Sequence, residues 1–378
     1  MPTEMPHWAV TLSDIDFGAQ EEAAVIEVLR SKWLSIGSRT ADFEKRFADA
    51  MGCSKAVAVG NCTAALHLAL LAVGVKPGDE VIVPSLTFVA TANAVLYCGA
   101  TPVFADVLGP ERLVIDPADV RRKVGPRTRA IVPMHYGGYP CDMGALQAIA
   151  SERGIRIVAD AAHAPGSSIG GRAVAEFGDV SCFSFFANKN LVTGEGGMVA
   201  TNDPAIADFA RLNRSHGMTA VSYDKQRGHA SSYDVVSTGY NYRMTEMQAA
   251  LGLVQLSKLE RNNEVRRDLV RTYRALLADR SGIVVPFAAC EEGSSCHIFP
   301  VVLPAGADRA AVQARMKSRG IQTSVHYHPV HRFTTFLRPA AVVPQTDRVA
   351  DHLLTLPLHP LMKREDVETV VGALLQSL

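Results

Sequence analysis

The sequence predicts an α/β protein: a large unit built on a mostly parallel sheet, followed by a smaller α/β unit. Three observations lead there. Short apolar strands alternate with helical stretches from about residue 55 to residue 200. Alternation of this kind implies parallel strands covered by helices on both faces. After about residue 242 the pattern changes to one long helical stretch and a shorter strand–helix series.

Taken in order, AVAV (56–59) reads as a strand and AALHLALLAVG (64–74) as a helix. EVIVP (80–84) is a strand, and the helical ATANAVLYCG follows it. TPVFAD, RAIVP and IRIVAD are further short buried strands. Between the last two, CDMGALQAIASERG reads as a helix ended by Gly154. The stretch RMTEMQAALGLVQLSKLERNNEVRRDLVRTYRALLAD is helical, with room for one break. HIFPVVLP is then a strand, DRAAVQARMKSRG a helix and IQTSVHYH a second strand, and two helices finish the chain. The expected division is 1–250 and 251–378.

A chain of 378 residues accommodates two such units. Apolar residues make up 48% and charged residues 20%, as in globular proteins. Lys+Arg and Asp+Glu are equal at 38 each, which removes any global attraction to nucleic acid or an anionic membrane. The opening MPTEMPHWAVTLSD has no basic start or apolar core, so no signal peptide is expected. Apolar runs are too short for a membrane span. The seven cysteines are odd in number and contain no CxxC pair, which fits reduced thiols in a cytoplasmic protein.

Chemistry is expected at three strand ends, because ligands of open parallel sheets bind beyond the carboxyl ends of the strands. GNCTAA (60–65) joins a strand to a helix; its small residues suit either a phosphate at the helix N-terminus or an ordinary cap by Asn61 or Thr63. VADAAHA places Asp160 directly after a strand, with His163 three residues on. That acid suits a cap, a solvated loop or a charge held for a cofactor. CFSFFANKNLVTGEGG (182–197) puts Lys189 where an apolar strand gives way to a turn. An amine in an apolar site loses solvation of its charged form and becomes nucleophilic. Pyridoxal 5'-phosphate (PLP) needs an amine for its aldehyde, an acid for its ring nitrogen, a phosphate cradle and a group against its ring face. Lys189, Asp160 and GNCTAA match the first three. Ser184 can add a hydroxyl to the phosphate, and Phe88 is a candidate for the ring face or else a core aromatic. His326, His328 and His331 in VHYHPVH are candidate metal ligands by spacing, but no Cys or carboxylate lies near them in sequence. No metal is expected.

The segments CTAALHLAL, GDEVIVPSLTFVATANAV, VPMHYGGYPCDM, VADAAHAPGS, FSFFANKNLVTGEGGMVATND, GYNYRMTEMQAALGLVQL and VHYHPVH come in one order across the chain. Together they resemble the DegT/DnrJ/EryC1/StrS sugar aminotransferases, a branch of the fold type I pyridoxal-phosphate enzymes. The resemblance implies a seven-stranded, mostly parallel sheet in the large domain. It assigns Lys189 as the residue that bonds to the cofactor aldehyde and shuttles protons, and Asp160 as the partner of the pyridine nitrogen. It sets His163 against the cofactor's phenolic oxygen, and Cys62, Thr63, Ala64 and Ser184 against its phosphate. Cys62 departs from the family's common Gly. Asn241 would reach the phosphate of a neighbouring subunit in a homodimer, and His326 and Tyr327 would contact the sugar.

The implied reaction is transfer of an amino group, with glutamate as donor, to the 4-keto group of a nucleotide-linked 6-deoxyhexose. A 3-keto sugar nucleotide or a keto-cyclitol is the alternative acceptor. A family dehydratase would carry histidine in place of Lys189. A non-catalytic cofactor-binding regulator lacks support from any helix-turn-helix extension or basic arm. No GxGxxG follows a strand, which speaks against a nicotinamide dehydrogenase.

Overall fold

The computed structural model describes residues 8–220, 232–278, 280, 282–288, 293–337 and 340–378. Residues 1–7, part of the opening read for a signal peptide, and Cys290 lie outside them. In chain order, the elements are α1 (Ala19–Ser31), α2 (Ser38–Ala50), β1 (Lys55–Val59), α3 (Cys62–Ala72), β2 (Glu80–Pro84) and α4 (Val89–Tyr97). Next come β3 (Thr101–Ala105), the hairpin β4 (Val107–Gly109) and β5 (Arg112–Ile115), α5 (Pro117–Lys123), β6 (Thr128–Ile131), α6 (Met143–Arg153) and β7 (Arg156–Asp160). A small hairpin, β8 (Ser168–Ile169) and β9 (Arg172–Ala173), precedes β10 (Val180–Ser184), β11 (Gly197–Thr201) and α7 (Pro204–Asn213). The rest is α8 (Glu246–Leu277), β12 (Phe299–Val302), α9 (Arg309–Ser318), α10 (Pro344–Ala350), β13 (Leu353–Leu356) and α11 (Arg364–Leu375).

Seven strands form the main sheet in the order β1-β11-β10-β7-β6-β2-β3. β11 runs antiparallel to both its neighbours, and the remaining pairs are parallel. This is the fold type I arrangement that the family resemblance implies. The central strands are buried on both faces, which is why they read as apolar runs. Gly154 ends α6 in a left-handed conformation, as expected. No helix among the described residues is long and apolar enough to cross a membrane.

The strand expected at IQTSVHYH is not formed. It has only isolated bridges, Ile321 to Val10 and Ser324 to Thr355. The antiparallel partner of β12 is instead β13, LLTL, whose four residues are all buried. LLTL fills the hydrophobic side of the ladder, while the more polar segment turns Ser324–Tyr327 toward a cavity. The long helix α8 is unbroken over 32 residues.

Two packing features fix the frame around the cavity. Phe183 and Phe185 meet Phe47 of α2 at ring-centroid distances of 5.1 and 5.4 Å, and Phe43 lies 5.3 Å from Phe185. Such pairs add about 0.5–1.5 kcal/mol each beyond their burial, and they hold α2 against β10. Then α8 crosses closely enough that a Cβ on Gly252 would come within 2.6 Å of the Phe43 ring, so only glycine fits. At the head of α8, the buried Glu246 caps α2. Its carboxylate accepts from the N–H groups of Gly37 (2.9 Å), Arg39 (2.8 Å) and Thr40 (2.8 Å) and from the Thr40 hydroxyl (2.6 Å).

Removing that carboxylate strands four donors at once, three of them buried. Glu246→Ala is expected to cost about 2–4 kcal/mol, read as a lower midpoint in thermal or urea unfolding. A melting curve unchanged from the parent refutes the cap.

Candidate active site

The carboxyl ends of β7 and β10 are adjacent, with Cys182 paired in register with Asp160. This register brings Asp160 and the turn after β10 together across 29 residues of sequence. Over these ends lies a cavity of about 510 Å3. Cys62, Thr63, Phe88, Asp160, His163 and Ser184 line it, with Lys189, His326 and Tyr327. Two further residues lie outside this lining: Ala64, expected at the phosphate, and Asn241, expected at a neighbouring subunit's site. Ala64 donates its N–H to the side chain of Asn61 at 2.9 Å, which makes Asn61 the N-cap of α3. Asn241 is exposed, and its backbone bridges to Ser215.

Helix α3 points its first turn into the cavity, and β11 presses close behind it. A Cβ on Gly197 would stand 2.5 Å from the Asn61 carbonyl carbon and 2.7 Å from the Cys62 nitrogen, so this approach requires glycine. With Ala64 engaged by the cap, the N–H groups at the start of the helix and the Thr63 and Ser184 hydroxyls remain to meet an anion.

Asp160 is 3% exposed. Its Oδ2 accepts from the Thr91 hydroxyl at 2.7 Å, and its Oδ1 from the Ala162 N–H at 3.1 Å. Thr87 in turn lies 2.7 Å from Thr91. Burial pushes the Asp160 carboxyl up, while Thr91, Ala162 and Lys189 pull it back. Lys189 has the opposite balance: burial lowers its amine to about 8, against the pull of Asp160 and Cys62.

His163 accepts the Gly137 N–H at Nδ1 (3.1 Å). Its proton is therefore on Nε2, which donates to the Tyr327 hydroxyl at 2.8 Å. Burial, then Lys189 and His326, drive His163 well below its ordinary value, so it is neutral. The Tyr327 hydroxyl, raised by burial and by Asp160, keeps its own proton to offer elsewhere. His326 lines the cavity, but its Nδ1 lies 3.0 Å from the Thr355 hydroxyl. His331 is engaged separately by Ser85 and Asp347. Among the described residues, no group of three His, Cys, Asp or Glu side chains is placed to hold a metal ion.

Sequence reasoning missed Thr91, Phe186 and Glu195, all at or beside the cavity, whereas Asn61 is the cap that the sequence offered as one of two candidates. Phe186 and Glu195 lie inside the lysine stretch itself and were available to it. Thr91 gave no signal, because nothing in TFVAT shows that the first turn of α4 overhangs Asp160.

A half-buried lysine with a lowered amine at the strand ends, a buried carboxylate and a helix N-terminus in one cavity define an enzyme site of the aminotransferase class. Residues 16–375 match the DegT/DnrJ/EryC1/StrS aminotransferase family. The chain is 40% identical over 365 residues to the spore coat polysaccharide biosynthesis protein SpsC of Bacillus subtilis (strain 168), covering 94% of each. Among solved structures, the aminotransferase TlmJ of Streptoalloteichus hindustanus is 38% identical with a TM-score of 0.89, over 96% of this chain and 97% of that one. DesI, solved in the presence of its TDP-sugar product, is 32% identical with a TM-score of 0.87, over 98% of this chain and 92% of that one. The chain belongs to the DegT/DnrJ/EryC1/StrS family and is a pyridoxal-phosphate-dependent sugar aminotransferase.

The lowered Lys189 amine has a direct consequence. In cofactor-free protein, its reductive labelling by a small aldehyde should rise as pH passes through about 8, where the amine loses its proton. Peptide mapping of the label against pH checks this. Labelling that rises only near the ordinary lysine value of about 10.4 refutes the buried environment.

Proposed function

We propose that this enzyme transfers an amino group from glutamate to the 4-keto group of a nucleotide-linked 6-deoxyhexose, acting as a homodimer with shared sites. The observation that carries the chemical part of the reading is the pairing of Lys189 and Asp160 in one buried cavity.

The donor set fits pyridoxal phosphate. Asp160 has both oxygens hydrogen-bonded by neutral donors and retains lone-pair capacity for a ring N–H. Thr63, Ser184 and the start of α3 would hold the phosphate, with Cys62 among them in the first turn. Phe88 would lie against the ring, and His163 and Tyr327 would sit at its oxygen-bearing edge. When bound, the cofactor supplies an electron sink for taking an amino group from a donor and giving it to a keto carbon.

The chain's own residues do the rest. Lys189 is poised near neutrality to accept and return a proton at its Nζ. Asp160, kept in place by Thr91 and Ala162, would hold a positive charge at the ring nitrogen. His163 is fixed in one tautomer by a backbone N–H, so its Nε2–H orients the Tyr327 hydroxyl, whose proton is free to meet a sugar oxygen. Phe88 and Tyr327, with ring centroids 5.6 Å apart, form an apolar wall that limits water.

For a nucleotide-linked sugar, the support is the likeness across nearly the whole chain to DesI, solved with its TDP-sugar product, together with Val325, His326 and Tyr327 of VHYHPVH at the cavity. For the dimer, the support is a charge deficit. Among the described residues, Lys189 is the one Lys or Arg side chain lining the cavity. A cofactor phosphate, a donor carboxylate and a diphosphate need more positive or polar partners than that. The exposed Asn241 is available to a second copy.

Asp160→Asn keeps size and loses charge. The half-reaction with glutamate should slow by at least about a hundredfold, measured by cofactor absorbance in a stopped-flow instrument, while the far-ultraviolet dichroism stays that of the parent. An unchanged half-reaction rejects this role for Asp160. The acceptor is tested by offering 4-keto and 3-keto sugar nucleotides and a keto-cyclitol side by side, with mass detection of the amino product. The 4-keto substrate should show the highest kcat/KM; preference for either of the others overturns the assignment of the sugar and leaves the class of enzyme intact.

A further inference from the structure

Behind the turn that carries Lys189 is a second, much smaller cavity of about 10 Å3, room for the centre of one water molecule. Asn188 and His326 are walls common to this cavity and the active-site cavity. Two of its lining residues present polar atoms that are buried without a hydrogen-bond partner: His297 Nε2 and Asn188 Oδ1. Buried polar atoms in folded proteins are nearly always satisfied, by protein or by ordered water.

The neighbours of His297 fix where its proton lies. Asn190 Nδ2 donates to Asn263 Oδ1 at 2.8 Å and to the Ser295 carbonyl at 2.7 Å. Both Asn190 N–H groups are thereby used, and its Oδ1, 2.9 Å from His297 Nδ1, accepts. The proton is on Nδ1. Burial, then the nearby His163, Lys189, Arg266 and His326, keep the imidazole neutral. Nε2 is left as a bare lone pair. Asn188, a residue of the same small cavity, carries the second unpartnered acceptor, its buried Oδ1. Two acceptors cannot bond to each other; together they call for one small molecule with two hydrogens to give. Ammonium has them, but Lys189 and Arg266 close by disfavour a cation.

We propose that this cavity is a binding site for a single water that donates to both His297 Nε2 and Asn188 Oδ1. The water closes a ring that runs from Asn188 through the water to His297 and Asn190, and back through the backbone of Lys189. Asn188 and Asn190 flank the lysine on either side. One imidazole thus holds both neighbours of Lys189, one directly and one through the water. His297 is a positioning residue: it touches neither substrate nor cofactor and acts on the peptide from which the reactive amine hangs. The site is independent of which sugar is aminated.

A crystal structure of the holoenzyme at about 1.5 Å resolution tests the site. It should show one isolated peak about 2.7–3.2 Å from both atoms. A dry cavity, or either atom bonded to protein instead, overturns the proposal. The bracing role is tested by hydrogen exchange of the 186–191 backbone amides, measured without substrate. Asn188→Leu, which removes the acceptor, should speed exchange roughly tenfold, while Asn188→Asp, which keeps an oxygen there, should stay close to the parent. Equal exchange in all three proteins overturns the bracing role even where the water is seen.

Discussion

The structure depends on burying one amine and one carboxylate in the same place. Either charge alone in a dry site is costly, and the usual outcome is neutralisation through a shifted pKa. Here the two sites answer each other. Burial lowers Lys189 and raises Asp160, and the attraction of each for the other opposes both shifts. The result is a lysine whose amine is lowered to about 8 and a carboxylate held in the same cavity. Neither would hold in a mobile loop. Asp160 ends a central strand, and Lys189 sits in a turn whose amide donates to the Phe186 carbonyl at 2.9 Å.

The same positive centre sets the state of the histidines around it. His163, His297 and His326 are all pushed toward the neutral form, by burial first and then by Lys189 among their charged neighbours. Neutral imidazoles have one donor and one acceptor each, so their tautomers carry information. The backbone supplies it at His163 through Gly137, and Asn190 supplies it at His297. Polar groups in the cavity therefore have fixed directions before any ligand enters, which is the preorganisation that catalysis in a dry site requires.

Much of this was legible in the sequence because the chemistry sits where simple rules apply. Strands buried on both faces announce themselves as apolar runs, so EVIVP is found in place and IRIVAD within one residue of its start. Asp160 and Lys189 stand at strand ends, where an ionisable residue after an apolar run is conspicuous. Contacts made across the fold were not legible. Thr91 reaches Asp160 over 69 positions, and His297 reaches Asn190 over 107. The segment IQTSVHYH has the residue types of a strand, but strand formation needs a free ladder edge, and LLTL takes the edge of β12. Ala64 illustrates a finer limit: the phosphate and cap readings of GNCTAA compete for the same N–H groups, and the side chain of Asn61 takes that of Ala64.

The cavity is lined by distant parts of the chain, and a specific set of contacts joins them. Lys189 and Asp160 belong to the sheet. Tyr327 belongs to the segment that follows α9, and that segment is pinned to the end of β2. The Val330 N–H donates to the Ser85 carbonyl at 2.9 Å, the Ser85 hydroxyl lies 2.5 Å from His331 Nδ1, and His331 Nε2 lies 3.3 Å from Asp347. The order serine, histidine, aspartate is that of a hydrolase triad. Ser85 has no exposed surface, however, so no substrate reaches its oxygen. What the three residues do is hold the segment against the sheet at His331, four positions beyond Tyr327. Val330 packs beside them into the same core as Phe104 and Phe336. Tyr327 is thereby registered against Lys189 and Asp160 across the cavity, although β2 and the segment are more than 200 positions apart. Side chains on the segment can change while the amine and the carboxylate stay where the strands put them, because the contacts that pin it lie at Val330 and His331, outside the cavity lining.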